Sequence, residues 1–452
     1  MHKNDEQALL READALAAHY LHSLSTRPVY PNAGEIQALS GFDEALPDAP
    51  TDAHAMLAQL DTFGSVSTSV STGPHYLGYV IGGVLPAAAA ADRLVSVWDQ
   101  CASSHATSPI AAKLEAVAGR WVLDILDLPR GSAVGFGTSA TACGLSCIAA
   151  ARRSLLAGQG WDLDADGLVG APEIKVVISD KAHISLFKLL RVLGFGRKRM
   201  LIAPTDEQGR IDPKRLPALD DKTILCLQAG EVNTGAFDPF TPLIAKAKAA
   251  GAWVHVDGAF GLWARATKTH HHLTEGIEGA DSWTTDGHKW LNTPYDSAMA
   301  ICKDAGALAQ AMNSDADYAR AESHAQSNLT MEFSRRARGI PVWAVLKTLG
   351  RQGVCEMVER HCGQTQKLAE GIDGKGIKVL NKVVLNQVLC TTTGAEGVAD
   401  FTTRMQAGGK LWFGTTVWNG APAFRLSVSN WRTTDADIER AIAVLTDVFT
   451  EV

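Results

Sequence analysis

The chain has no surplus of positive charge: 42 Lys and Arg stand against 49 Asp and Glu, a formal net charge of −7. A nucleic acid or an acidic membrane calls for a basic face, so this balance argues against either as a partner. The eight cysteines are scattered and form no Cys-x-x-Cys pair. Neither a zinc site nor a disulfide framework is indicated, and a reducing cytoplasm is the expected setting. Cys143 and Cys147, one helical turn apart on an apolar stretch, read as buried core. No apolar run is long enough to span a bilayer, because Gly82, Gly83 and Pro86 break the most apolar one, residues 80–91. The first residues lack the basic-then-apolar layout of a secretion signal and read as a polar helix. Internal repeats and low-complexity tracts are missing as well.

What is there is an ordinary globular composition, 46% hydrophobic and 20% charged, over 452 residues. That length exceeds one average core, so roughly two or three structural units are expected. Residues 1–75 read as helices and turns interrupted by Pro28, Pro31, Pro47 and Pro50. A segment so broken has difficulty burying a core alone, and packing on a partner subunit is expected. Residues 76–330 carry strand and helix in alternation: 175–179, 223–228, 253–257 and 297–302 as strands, with helices to 193 and over 241–250. This spacing predicts an α/β domain with a mostly parallel sheet covered on both faces. Residues 331–452 read as a smaller C-terminal α+β domain, with strands over 379–385 and 423–428 and helices to 349, over 353–370 and over 435–450.

Two polar landmarks stand in the large domain. An apolar strand, 253–257, ends on Asp257, and Lys289 follows a histidine in Thr284-Thr-Asp-Gly-His-Lys-Trp290. The spacing leaves room for one helix and one returning strand, and ligands of such sheets lie beyond the carboxyl ends of the strands. A lysine and a carboxylate converging on one cleft suit pyridoxal 5′-phosphate: the lysine holds the aldehyde as a Schiff base, and the carboxylate keeps the pyridine nitrogen protonated. Each residue alone has a plainer reading, a solvated lysine and a helix cap. Gly135-Phe-Gly-Thr-Ser-Ala-Thr-Ala-Cys-Gly144 combines glycines, hydroxyls and a helix start, as a phosphate cradle would, and equally as an ordinary cap. Gly73-Pro-His-Tyr-Leu-Gly-Tyr79 suits an active-site wall and a turn of packed aromatics alike. His270, His271 and His272 point in different directions as neighbours, so a solvated loop is expected and no metal.

His288-Lys289-Trp290, with Asp257 upstream and Ser334-Arg-Arg-Ala-Arg338 downstream, resembles the group II pyridoxal-phosphate-dependent amino acid decarboxylases. These include the aromatic amino acid, histidine and glutamate enzymes, and the resemblance runs from about Gly73 to Asp437. It implies the aspartate aminotransferase-like fold (fold type I of the PLP-dependent enzymes) and a homodimer with the active site at the subunit interface. It makes Lys289 the Schiff-base lysine, Asp257 the pyridinium partner, His183 the imidazole stacked on the ring and Ala259 its packing on the other face. Thr138, Ser139 and Ala140 would hold the phosphate with help from His288, and Asn233 and Thr234 would lie near the cofactor. Tyr318, on a loop expected to be mobile, would protonate the carbanion left by CO₂; relatives with phenylalanine there tend to form aldehydes. Tyr79 and Arg425 would face an amino acid substrate, aromatic by mild preference, although Arg425 also suits a surface ion pair. One position departs from the pattern. Where many members have asparagine three residues before the lysine, this chain has Asp286, which cannot donate when ionised; either it points away or the phosphate contacts differ. The expected activity is decarboxylation to amine and CO₂. The alternatives are a carbon–carbon lyase or aldehyde-forming deaminase on the same scaffold and, lower, a non-catalytic binding module.

Overall fold

The computed structural model describes residues 3–313, 325–394 and 396–447. Seven strands form the larger sheet: β1 (Ala133–Gly137), β2 (Lys175–Ser179), β3 (Leu201–Ala203), β4 (Thr223–Gln228), β5 (Trp253–Asp257), β6 (Ser282–Asp286) and β7 (Ala298–Cys302). Their order is β1-β7-β6-β5-β4-β2-β3. β7 runs antiparallel to β1 and β6, and the other pairs are parallel. β4, Thr-Ile-Leu-Cys-Leu-Gln, is buried along its whole length, as a strand covered on both faces must be. Trp263, Trp283, Trp290, Phe136 and Phe240 are among the large side chains sealed in this core.

The smaller sheet contains β8 (Ile377–Val379), β9 (Gln387–Thr392), β10 (Gly414–Trp418) and β11 (Ala421–Ser427). Its order is β10-β11-β9-β8, antiparallel throughout. Asn419 and Gly420 join β10 to β11 with φ of 49° and 83°, the two left-handed residues that a tight hairpin turn requires. Phe401, Phe413 and Phe424 pack ring to ring beneath the sheet, with centroids 5.0 to 6.1 Å apart. The strand expected over 379–385 is a correction: β8 ends at Val379, and β9 starts only at Gln387. The intervening Asn381 instead bonds across, donating to the Thr234 and Gln387 carbonyls and accepting from Leu389 N–H. Those tertiary bonds outweigh the local apolar pattern.

The helix Gly339–Ile372 breaks at Gly350, whose φ of 61° ends one helix and starts the next. Along it the core changes: Val342 to Cys362 pack with the large sheet, while Leu368 and Ile372 join the smaller one. At the other end of the chain, the helix Lys3–Ser23 and the turns to residue 75 bury little apolar surface, chiefly Leu24, Val29 and Val70. Leu39, Leu46, Met56 and Leu60 stay exposed. Among the described residues, no helix is long and apolar enough to cross a membrane.

Candidate active site

Lys289 sits in the turn between β6 and β7, and its neighbours hold that turn rigidly. Gly287 and His288 N–H both donate to the Ser297 carbonyl, at 2.9 and 3.2 Å. Trp290 is fully buried and donates from Nε1 to His361 Nδ1 at 2.9 Å. Gly82 passes so close that a Cβ there would lie 2.0 Å from the Lys289 carbonyl, so only glycine fits. The lysine side chain itself stays partly open, with Nζ 3.2 Å from Asp286 Oδ2 and 6.0 Å from the centre of the Phe260 ring.

Asp257 ends β5, in the middle of the sheet, paired in register with Gln228 of β4 and Thr284 of β6. Its Oδ1 accepts from Ala259 N–H at 3.1 Å, which fixes both the carboxylate and Ala259 in the turn that follows. His183 caps the helix Ile184–Val192; its Nδ1 accepts from Ser185 N–H at 3.3 Å, which puts the ring proton on Nε2. Burial pushes the imidazole below its ordinary value, while the charge of Asp257 pulls the other way. Lys289, Arg425 and Asp286 act on the same ring. Five groups drawn from β5, β6, β11 and two turns therefore converge on one cleft, at the carboxyl edge of the large sheet.

Ser139 caps the helix Ala140–Gly158 through Ala142 N–H at 3.2 Å, with Thr138 just before it. Ala140 N–H, offered by the sequence to a phosphate, donates instead to Asp286 Oδ1 at 2.7 Å. Asp286 thus faces the cradle and is 3% exposed. His288 Nδ1 accepts from Ser297 N–H at 3.2 Å, and its Nε2 lies 3.6 Å from Asp286 Oδ1. Its ring stacks on Tyr295 with centroids 4.2 Å apart. Burial again lowers its pKa, against the pull of Asp286.

The opposite wall belongs to the smaller sheet. Arg425 on β11 donates to the Val232 carbonyl and lies 5.9 Å from the Tyr79 ring centre. Burial lowers its pKa while Glu231 supports its charge. Tyr79 is half exposed and leans on Trp412 at 5.2 Å, whereas Tyr76 stacks flat on the same indole at 4.5 Å and is buried. His75 turns elsewhere, to Asp437 at 2.9 Å. Asn233 and Thr234 brace a loop: both donate to the buried Glu231 carboxylate, Thr234 Oγ1 also reaches the Gln208 carbonyl at 2.7 Å, and Asn233 Oδ1 accepts from Thr416 on β10. Tyr318 lies outside the described residues. Asp286, Trp412 and Glu231 are additions to the expected set. Of these only Asp286 had a local signal, its place three residues before the lysine.

The Ser334–Arg338 motif is structural in this chain. Arg335 makes two bonds, 2.8 and 2.7 Å, to the buried Glu115, and Arg338 reaches Asp296 at 2.6 Å. Among the described residues, no three His, Cys, Asp or Glu are grouped to hold a metal. His270, His271 and His272 turn to different partners: Thr267, Asp127 and the Thr269 carbonyl. A cavity of about 1090 Å³ lies away from Lys289, lined by residues of 103–134 and 325–333 and by Ala305. It holds none of the five convergent groups.

The cleft offers a primary amine, a carboxylate with one oxygen held by Ala259 N–H, a neutral imidazole and a capped helix start. That donor set fits pyridoxal phosphate on the fold type I scaffold of PLP-dependent enzymes. The pyridoxal-dependent decarboxylase conserved domain matches residues 36–390, most of the chain, and the protein belongs to that family of PLP-dependent carboxy-lyases. Tryptophan decarboxylase 1 of Oryza sativa subsp. japonica is 27% identical over 387 residues, covering 77% of this chain and 73% of that one. Phenylacetaldehyde synthase of Petunia hybrida is 25% identical over 377 residues, covering 78% and 73%. The crystal structure of Oryza sativa TDC with PLP and tryptamine superposes with a TM-score of 0.90 at 21% identity, covering 100% of this chain and 99% of that one. At that identity the superposition establishes the fold.

Proposed function

We propose that this decarboxylase acts on an aromatic L-amino acid and releases the amine and CO₂, with Lys289, Asp257, His183 and Tyr318 as its catalytic residues. The observation that carries the reading is the placing of Lys289, on the turn after β6 with Nζ 3.2 Å from Asp286 Oδ2, next to Asp257 at the end of the neighbouring strand β5. When bound, pyridoxal phosphate supplies an aldehyde for amines and a ring that accepts the electron pair left by CO₂. Lys289 Nζ would hold that aldehyde. Asp257 would keep the pyridine nitrogen protonated, and His183 and Ala259 would pack against the ring. Thr138, Ser139, Ala140 and His288 line the phosphate end, with Asn233 and Thr234 bracing the rim. Arg425 and Tyr79 orient the substrate, and the Tyr79, Trp412 and Phe260 rings favour an aromatic side chain. Tyr318 would supply the proton that replaces CO₂, which favours amine over aldehyde; the likeness to an aldehyde synthase supports the second outcome.

Lys289→Ala should lose both the visible absorbance of the holoenzyme and CO₂ release. A coloured, active variant would reject the assignment. Product analysis separates amine from aldehyde with ammonia. The exposed apolar side chains of residues 1–75, Leu39, Leu46, Met56 and Leu60 among them, support a homodimer in which this segment covers the partner. Three units, 1–75, 76–330 and 331–452, describe that organisation, and sedimentation of the purified chain tests it. Eight unpaired cysteines support a cytoplasmic setting.

A further inference from the structure

The segment that carries Tyr79 is held against the lysine turn in a rare backbone state. Tyr79 and Val80 have φ of 56° and 58°, and Asn292, just past Lys289, has φ of 56°. A β-branched valine seldom adopts this left-handed region, and such a conformation persists only where the surroundings fix it. Here they do. A Cβ on Gly78 would lie 2.1 Å from the Trp412 ring, and one on Gly83 2.5 Å from Asn430 Oδ1. Ser429 Oγ donates to the Ile81 carbonyl at 3.1 Å. At the centre stands Asn292, fully buried. Its Oδ1 accepts from Gly83 N–H at 2.6 Å and from Trp431 N–H at 3.0 Å. Its Nδ2 donates to the Trp290 and Ser429 carbonyls at 2.7 and 3.0 Å. Every donor and acceptor of the amide is thereby used. The backbone joins the same pieces: Asn292 N–H donates to the Lys289 carbonyl at 3.2 Å, and its carbonyl accepts from Leu85 N–H at 2.9 Å.

We propose that Asn292 is a positioning residue: it sets the register between Lys289 and the Tyr79 wall, and so the place of the substrate's side chain relative to the lysine. The proposal rests on Lys289 carrying the cofactor and on Tyr79 facing the substrate. One buried amide ties the lysine turn to the segment after Tyr79 and to the exit of β11, the strand of Arg425. Gly82, in the same segment, already touches the Lys289 carbonyl so closely that a Cβ would lie 2.0 Å away. The two pieces therefore meet with no slack, and a shift of the clasp moves one against the other. A misplacement of about 1 Å between reacting groups costs an enzyme about 10²-fold in rate. Asparagine suits the place twice over: it tolerates a left-handed backbone better than other side chains, and it carries both donors and acceptors.

The test measures CO₂ release per cofactor-loaded site, counted from the visible band of the holoenzyme, with L-tryptophan, L-tyrosine and L-phenylalanine as substrates. Asn292→Gly keeps the backbone conformation and removes the clasp. Asn292→Asp, which keeps the acceptors and loses both donors, takes its place should the first variant fail to fold. The visible band should remain, since Lys289 is untouched, while kcat/KM per loaded site falls about 10- to 100-fold. Tyr79→Ala, expected to lose about tenfold by itself, completes a double-mutant cycle. Because Asn292 acts through the Tyr79 wall, the loss in the double variant should fall short of the product of the single losses by at least about threefold. A merely structural role lowers the melting temperature and the number of loaded sites but leaves kcat/KM per loaded site at the parent's value. That result, or single losses that multiply, would overturn the role of Asn292. A parent protein that shows no visible band, or releases no CO₂ from any of the three amino acids, would overturn the functional reading itself before any variant is made.

Discussion

The two walls of the cleft are held together in different ways. On the large-sheet side, three of the proposed site side chains are fixed by their own neighbours: Asp257 by Ala259, His183 by Ser185, Ser139 by Ala142. On the small-sheet side each tie crosses most of the domain. Arg425 reaches the Val232 carbonyl across 193 residues, and Thr416 reaches Asn233 across 183. Leu77 N–H donates to the Trp412 carbonyl, and Asn292 accepts from Gly83 and Trp431 N–H, joining the early turn, the lysine turn and the last strand's exit. The proposed catalytic groups therefore sit on locally defined turns, while the proposed substrate wall is assembled from distant pieces. A wall made of local turns tolerates change elsewhere; one made of long-range ties depends on the docking of the two cores.

That contrast can be broken at three points. The largest effect is expected on the local wall, from Asp257→Ala, which removes the carboxylate proposed to hold the ring proton. Activity should drop by about 10²- to 10⁴-fold while the melting temperature stays close to the parent's, because the variant loses one neighbour-to-neighbour bond. A large loss of stability would show that Asp257 is also part of the long-range frame. Second is Arg335→Ala, which leaves Glu115 buried without its partner. Breaking such a pair costs about 3–5 kcal/mol, measurable by denaturant unfolding; a loss below about 1 kcal/mol would remove Arg335 from the frame.

The smallest effect concerns the joint between the walls. His361 accepts from Trp290 and donates to the Asn430 carbonyl, and burial holds its pKa near 3, as it does for His255 in the sheet. A depressed histidine stays neutral in the fold while the unfolded chain protonates below about pH 6.5. The unfolded state then binds more protons, so stability falls as the pH drops from about 6.5 towards 3. Each such histidine adds a slope approaching about 1.4 kcal/mol per pH unit. His361→Gln, which keeps an acceptor and a donor, should flatten the stability profile between pH 6 and 4 by one histidine's share. An unchanged slope would mean that His361 is not held neutral.

Much of the local wall could be read from the chain. An apolar strand ending on Asp257, a histidine before Lys289 and a hydroxyl–glycine run before a helix are patterns within a few residues, and the parallel sheet follows from strand–helix alternation. The break of the long helix was legible too, at the glycine of Leu349-Gly350. Less of the second wall was visible. Asn381, in a segment that reads as a strand, bonds instead to Thr234 in the large domain and to Gln387 and Leu389 on β9, and β9 and β10 went unread. Trp412 has nothing around it to mark it, and His75, beside two aromatics of the cleft, turns to Asp437.

By itself the sequence determined the strand end on which Asp257 stands and the helix start on which His183 stands, because hydrogen bonds two or three residues apart need no distant partner; β6, the strand before Lys289, went unread. Only the tertiary structure decided that Asp286 faces the cradle, that Arg335 is buried against Glu115 and that Tyr79 and Arg425 share a wall. The first two contacts join distant segments of the chain and the third lies where two separately packed cores meet, and the energy of such meetings is written in no short stretch of chain.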